Sequence, residues 1–158
     1  MYNPNDPEKF PVRKSPRLKG YDYSISNHYF VTVCTKYKKC IFGELGNLNP
    51  CGKIAKQGIL LMKEHNPDVR VETFVVMPNH VHILLFLYGG KARLEYVVGT
   101  WKAFVTREIH SVHPGMSVWQ SSFYDHIVRN ERSLQNIWKY IDNNPVNWEK
   151  DCFYTNQL

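Results

Sequence analysis

The chain has no apolar run long enough to span a membrane, and its first residues, MYNPNDPEKF, lack the apolar stretch of a signal peptide. A protein without membrane association, in the cytoplasm, is therefore expected. Cysteine is sparse. The four, Cys34, Cys40, Cys51 and Cys152, show no C-x-x-C spacing, which argues against a cysteine zinc site and leaves reduced, buried thiols as the expectation. No G-x-x-x-x-G-K-[ST] loop is present, so a phosphate cradle for nucleotide-driven chemistry is absent. Neither H-E-x-x-H nor H-x-E occurs, which leaves a zinc hydrolase without its general base. There is no internal repeat. Acidic residues are also short, 14 against 20 lysines and arginines, for a net charge of +6. That imbalance favours a polyanionic partner, most simply nucleic acid.

What is present centres on Thr73 to Leu87, TFVVMPNHVHILLFL. Two apolar runs flank Met77-Pro78-Asn79, and the second, from Asn79, reads as a buried strand. Side chains alternate across a strand, so His80 and His82 share one face. A lone histidine in an apolar strand is more often a hydrogen-bonded core residue. Two on one face of a rigid strand can share a divalent ion.

The chain of 158 residues suits one domain with a sizeable core. Residues 1–20, with four prolines and many charges, read as an extended basic arm, and 21–158 as one domain. Tyr29 to Thr35 is a strand, and Lys36 to Asn49 a loop. Pro50 to His65 is a helix that Asn66-Pro67 ends. Val69 to Val76 pairs with the histidine strand as a hairpin. A second helix over Ala92 to His110 buries Leu94, Val97, Val98, Trp101, Val105 and Ile109. Val118 to Phe123 is a short edge strand. Ser133 caps a third helix, which runs to Asn143 and buries Leu134, Ile137, Trp138 and Ile141. This order predicts an α+β, ferredoxin-like antiparallel sheet with helices packed on one face and the histidines on a central strand.

Along the third helix, Tyr140 and Asn144 fall one turn apart on one flank of the apolar stripe. A tyrosine there can be a nucleophile, and an asparagine oxygen can be a third metal ligand. The plainer reading is an amphipathic tyrosine at a helix margin and an asparagine at a helix end before Pro145. Tyr124, in FYDH beside Asp125 and His126, is the rival tyrosine.

Taken together, NHVHIL and YIDNNPVNW resemble the single-tyrosine HUH transposases, in which two histidines flank a hydrophobic residue, here His80-Val81-His82. RKSPRLKGYDYS, YFVTVCT, VVMPNHVHILL, VWQSSFYDHIVRNE and YIDNNPVNWEKD extend the likeness to the REP-associated tyrosine transposases, from Arg13 to Asp151. The resemblance implies cleavage and rejoining of single-stranded DNA through a 5′-phosphotyrosine. It places Tyr140 as nucleophile and His80, His82 and Asn144 as metal ligands, with Mg²⁺ or Mn²⁺ as the ion. It implies a hairpin-bearing single-stranded DNA partner, and leaves both a homodimer and a monomer open. Arg13, Lys14, Arg17, Lys38, Lys39, Lys102 and Arg129 are the expected DNA contacts. The chain departs from the branch in its second helix, which reads Trp101-Lys102-Ala103 where relatives carry Lys-Ser after an aromatic. A non-catalytic nucleic-acid-binding module is the alternative.

Overall fold

A computed structural model describes residues 17–155. Its frame is a four-stranded antiparallel sheet in the order β4-β5-β1-β6. The strands are β1 (Asn27–Cys34), β4 (Val69–Val76), β5 (His80–Leu87) and β6 (Tyr124–Ile127). A small hairpin, β2 (Gly43–Glu44) with β3 (Asn47–Leu48), lies in the loop after β1. The helices are α1 (Pro50–Leu60), α2 (Met62–His65), α3 (Leu94–Val112) and α4 (Glu131–Asn143). The expected order of strand, helix, hairpin, helix, strand is present, and the histidine strand is central.

Alternation along β1 and β5 decides which residues face which layer. Val31, Val33, Val81, Ile83, Leu85 and Leu87 join Trp101, Val105 and Ile109 of α3 and Ala55 and Ile59 of α1 in the larger core. α1 begins on Pro50, whose missing N–H costs nothing at a helix start, and the Asn49 side chain accepts from the Gly52 N–H at 3.0 Å. Gly52 is needed for closeness: a Cβ there would stand 2.3 Å from the Phe42 carbonyl oxygen. The helix breaks at Leu61, where ψ is −4°, and resumes as α2, so the expected single helix is two.

On the opposite face the covering helix is α4. Phe30, Leu84 and Val128 of the sheet meet Ile137 and Ile141 there, with Leu134, Val75 and Tyr140 packed beside them. Helices therefore lie on both faces, where the sequence pattern predicts one. The alternate residues of β1 and β5 include Phe30 and Leu84, which would otherwise stay in water, and α4 removes them from it.

Three local expectations change. The N-cap of α4 is Asn130, whose side chain accepts from the Ser133 N–H at 2.8 Å, so Ser133 lies inside the helix. Trp138 is 38% exposed. The packed side of α4 is Ile137, Tyr140, Ile141 and Asn144, an i, i+3, i+4, i+7 set rotated away from Trp138. The edge strand is Tyr124–Ile127, not 118–123; the earlier stretch makes only a single bridge, Thr35 with Trp119. Asp125 sits inside β6 because Arg17 pairs with it at 2.8 Å, which offsets the cost of a buried carboxylate.

Candidate active site

His80 and His82 project from β5 on the α4 side and are fully buried. Their Nε2 atoms stand 3.1 Å apart. Each ring is held from behind. Asn79 is buried, and its Nδ2 donates to the carbonyls of Lys38 at 3.1 Å and Phe153 at 2.7 Å. That orients its Oδ1 toward His80 Nδ1 at 2.8 Å. An amide oxygen only accepts, so His80 carries its proton on Nδ1 and presents a bare Nε2 lone pair. His82 Nδ1 meets Thr32 Oγ1 at 2.8 Å. A hydroxyl can donate or accept, so Thr32 accommodates either tautomer of His82. Burial lowers the pKa of both rings, to about 4 for His80 and well below the ordinary range for His82. Both are neutral at pH 7, the form that ligates a metal.

α4 brings Tyr140 and Asn144 to the pair. The Tyr140 hydroxyl lies 3.3 Å from His82 Nε2, with its ring edge-on to the imidazole at 5.2 Å between centroids. Asn144 is buried, and its Nδ2 donates to Asp151 Oδ2 at 2.8 Å. Its Oδ1 is buried with no hydrogen-bond partner among the described residues. Asp151 completes the cluster: Oδ2 is 3.8 Å from His80 Nε2 and 3.5 Å from the Tyr140 hydroxyl.

Donor atoms of His80, His82 and Asp151 all lie within 4.8 Å of one another. Ligands about 2.0–2.2 Å from one ion stand roughly 3–4 Å apart. The two ring nitrogens and the carboxylate therefore fit a divalent cation, and Asn144 is held beside them through Asp151. The sequence reading missed Asp151. It lies seven residues past Asn144, beyond the helical register, and a turn over Trp148–Lys150 returns the chain to the site. The same return stacks Phe153 on His80 at 4.7 Å and Trp148 on it at 5.7 Å. Asn79 and Thr32 were missed too, because one acts through its side-chain orientation and the other through cross-strand register.

The expected DNA contacts scatter. Arg13 and Lys14 lie outside the described residues. Arg17 is held in the fold by Asp125, the Phe123 carbonyl at 3.0 Å and the Phe123 ring. Lys102 Nζ donates to the Gln120 carbonyl at 2.8 Å, and burial lowers its pKa. Both cations brace the chain around β6. Lys38 stands over the Phe153 ring at 5.3 Å and its charge disfavours protonation of His80. Lys39 and Arg129 are exposed. Tyr124 is on the edge strand and 57% exposed.

The family model for IS200-like transposases matches residues 23–144. An uncharacterised protein of Haemophilus influenzae is 35% identical over 167 residues, which span 90% of this chain and 93% of that one. Another protein of that species, provisionally described as a REP-associated tyrosine transposase, is 26% identical over 93 residues, 52% of each chain. Among solved structures, a REP-associated tyrosine transposase bound to a REP hairpin superposes with a TM-score of 0.62 at 20% identity, over 83% of this chain and 73% of that one. A Deinococcus radiodurans protein described as a transposase gives 0.50 at 20% identity, over 80% and 95%.

Proposed function

The chain belongs to the IS200-like transposase family, and from that premise we propose that it cleaves and rejoins single-stranded DNA through a covalent link between Tyr140 and a 5′-phosphate. The family makes it a transposase acting on DNA; the site's geometry supports the chemistry proposed. The observation that carries it is the Tyr140 hydroxyl 3.3 Å from an imidazole nitrogen of a buried, neutral histidine pair. A structural tyrosine also seeks a hydrogen-bond partner, but here the partner belongs to a cluster that fits a divalent cation, which a non-catalytic binding module does not require.

His80, His82 and Asp151, with the Asn144 oxygen, would hold the divalent cation. When bound, such an ion neutralises charge on a non-bridging phosphate oxygen and orients the phosphate. A carboxylate among the donors moves the set toward hard ions, which favours Mg²⁺ or Mn²⁺. The protein's own groups do the rest. Asn79 and Thr32 hold the rings in register. α4 fixes the phenol beside them. The Tyr140 oxygen attacks phosphorus, the P–O3′ bond breaks, and the departing oxygen takes a proton to become a 3′-hydroxyl. With His82 Nε2 given to the cation, Asp151 Oδ2 is the acceptor within reach of the phenol proton. The phosphotyrosine keeps the bond energy, so a second 3′-hydroxyl reverses the step without ATP.

The substrate is single-stranded DNA bearing a hairpin. The structural neighbour is a hairpin complex, and the basic, aromatic-rich composition fits unpaired DNA. A labelled hairpin oligonucleotide with a single-stranded flank, incubated with the protein and Mn²⁺, is expected to yield a denaturation-resistant protein–DNA adduct. Its absence with Mn²⁺ and with Mg²⁺ would remove this reading.

A further inference from the structure

Tyr124 is unused by the chemistry above, yet its position is specific. Tyr124 of β6 is the register partner of Thr32 in β1, and Thr32 is the partner of His82 in β5. The three residues form one row across adjacent strands, and residues paired across a sheet share a face. Tyr124 therefore stands on the histidine face. Strands about 4.8 Å apart put its backbone roughly 10 Å from that of His82. Between them sits only Thr32, small and bonded to His82. The Tyr124 ring is 57% exposed, and it has no ring contact or side-chain hydrogen bond among the described residues. His126, two residues on and on the same face, is the partner of Phe30, and exposed Arg129 follows it. An aromatic ring open to solvent, with a cation close along the chain, offers what an unpaired base needs.

We propose that Tyr124 is a base-stacking residue, holding an unpaired nucleobase of the single strand beside the phosphate at the histidine pair. A span of roughly 10 Å is about three stacked-nucleotide rises of ~3.4 Å each, so the base lies within a few nucleotides of that phosphate. The inference rests on the reading of the protein as a single-strand-cleaving enzyme. It makes Tyr124 a substrate contact, distinct from the nucleophile. It also locates the strand's path toward the β6 edge of the sheet.

The test uses full-length protein carrying Tyr140→Phe, so that no cleavage intervenes, and two fluorescein-labelled DNA hairpins. One has a single-stranded flank and the other is blunt. Adding Tyr124→Ala is expected to weaken binding of the flanked hairpin on the order of tenfold and to leave the blunt one unchanged. Tyr124→Phe keeps the ring and should bind like the parent, whereas Tyr124→Leu, apolar but not aromatic, should behave like Tyr124→Ala. Unchanged binding of the flanked hairpin by Tyr124→Ala, equal loss on both probes, or a parent that does not distinguish the probes would overturn the proposal. An adduct that never forms on native Tyr140, alongside a flank preference that depends on Tyr124, would remove the nucleophile and leave the stacking residue standing.

Discussion

Asn79 and Thr32 carry as much of the site as the histidines they hold. Each bonds Nδ1 and so fixes a ring's orientation, and Asn79, whose oxygen only accepts, also leaves His80 Nε2 free to ligate. Asn79→Ala leaves the His80 Nδ1 proton without its acceptor and releases the Phe153 carbonyl. Outer partners of this kind are typically worth about 10–100-fold in metal affinity. Titration calorimetry with Mn²⁺ should show a loss of that order in Asn79→Ala; an unchanged affinity would mean the tautomer is set elsewhere. Acid should act on the same residues in metal-free protein. The unfolded chain protonates a histidine near pH 6.5, while His80 in the fold resists until about 4. Below 6.5 the unfolded state binds the extra proton, so stability, fully present above that pH, falls as pH drops toward 4. Thermal midpoints measured in EDTA should decline across that window, and His80→Gln should flatten the decline. At this scale the sequence was legible where spacing encodes geometry. His80 and His82 share a strand face, and Tyr140 and Asn144 a helix turn. Asp151 was not legible, because a non-periodic turn after Pro145 returns it to the site, and neither was Thr32, because cross-strand register depends on distant pairing.

Among the elements, α4 decides whether there is a site at all. Its packed side is rotated by one position from the sequence expectation, which puts Trp138 in the core, because four apolar residues along a helix define a stripe only to within a rotation. The sheet beneath settles that rotation: Phe30 and Leu84 receive Ile137 and Ile141, which turns Tyr140 and Asn144 inward. Asn130→Ala removes the cap that starts this helix and should cost about 1 kcal/mol of stability in urea denaturation. On the opposite face, Gly52→Ala sets two effects against each other. Helix propensity favours alanine by up to about 1 kcal/mol. The new Cβ, however, meets the Phe42 backbone oxygen at 2.3 Å, and overpacking costs about 1–3 kcal/mol. Backbone cannot rotate aside as a side chain can, so the clash should win and Gly52→Ala should unfold at lower urea. A more stable variant would show that the loop holding Phe42 yields freely. The edge strand falls outside its expected span for a related reason. Val118 to Phe123 has the better strand composition, but Arg17 lets the polar Tyr124–Ile127 take the sheet position.

For the whole molecule, the excess of six positive charges is a statement about partners, and the fold refines which charges count. Arg17 and Lys102 are engaged within the protein, so their replacement should lower stability, while Lys38, Lys39 and Arg129 remain to meet phosphates. Replacing these three with Gln should lower the salt slope of DNA binding by up to about three, since each cation that neutralises a phosphate adds about one to that slope. An unchanged slope would show that the DNA path avoids these three residues. The path matters because the chemistry requires one phosphate to reach both the Tyr140 oxygen and the cation that the histidine pair would hold. Mass-spectrometric mapping of the protein–DNA adduct tests this most directly. The expected result is a nucleotide attached to Tyr140, with no adduct and no cleavage in a folded Tyr140→Phe and an adduct retained in Tyr124→Phe. Attachment at Tyr124, or an adduct that persists in Tyr140→Phe, would contradict the assignment of Tyr140 as nucleophile.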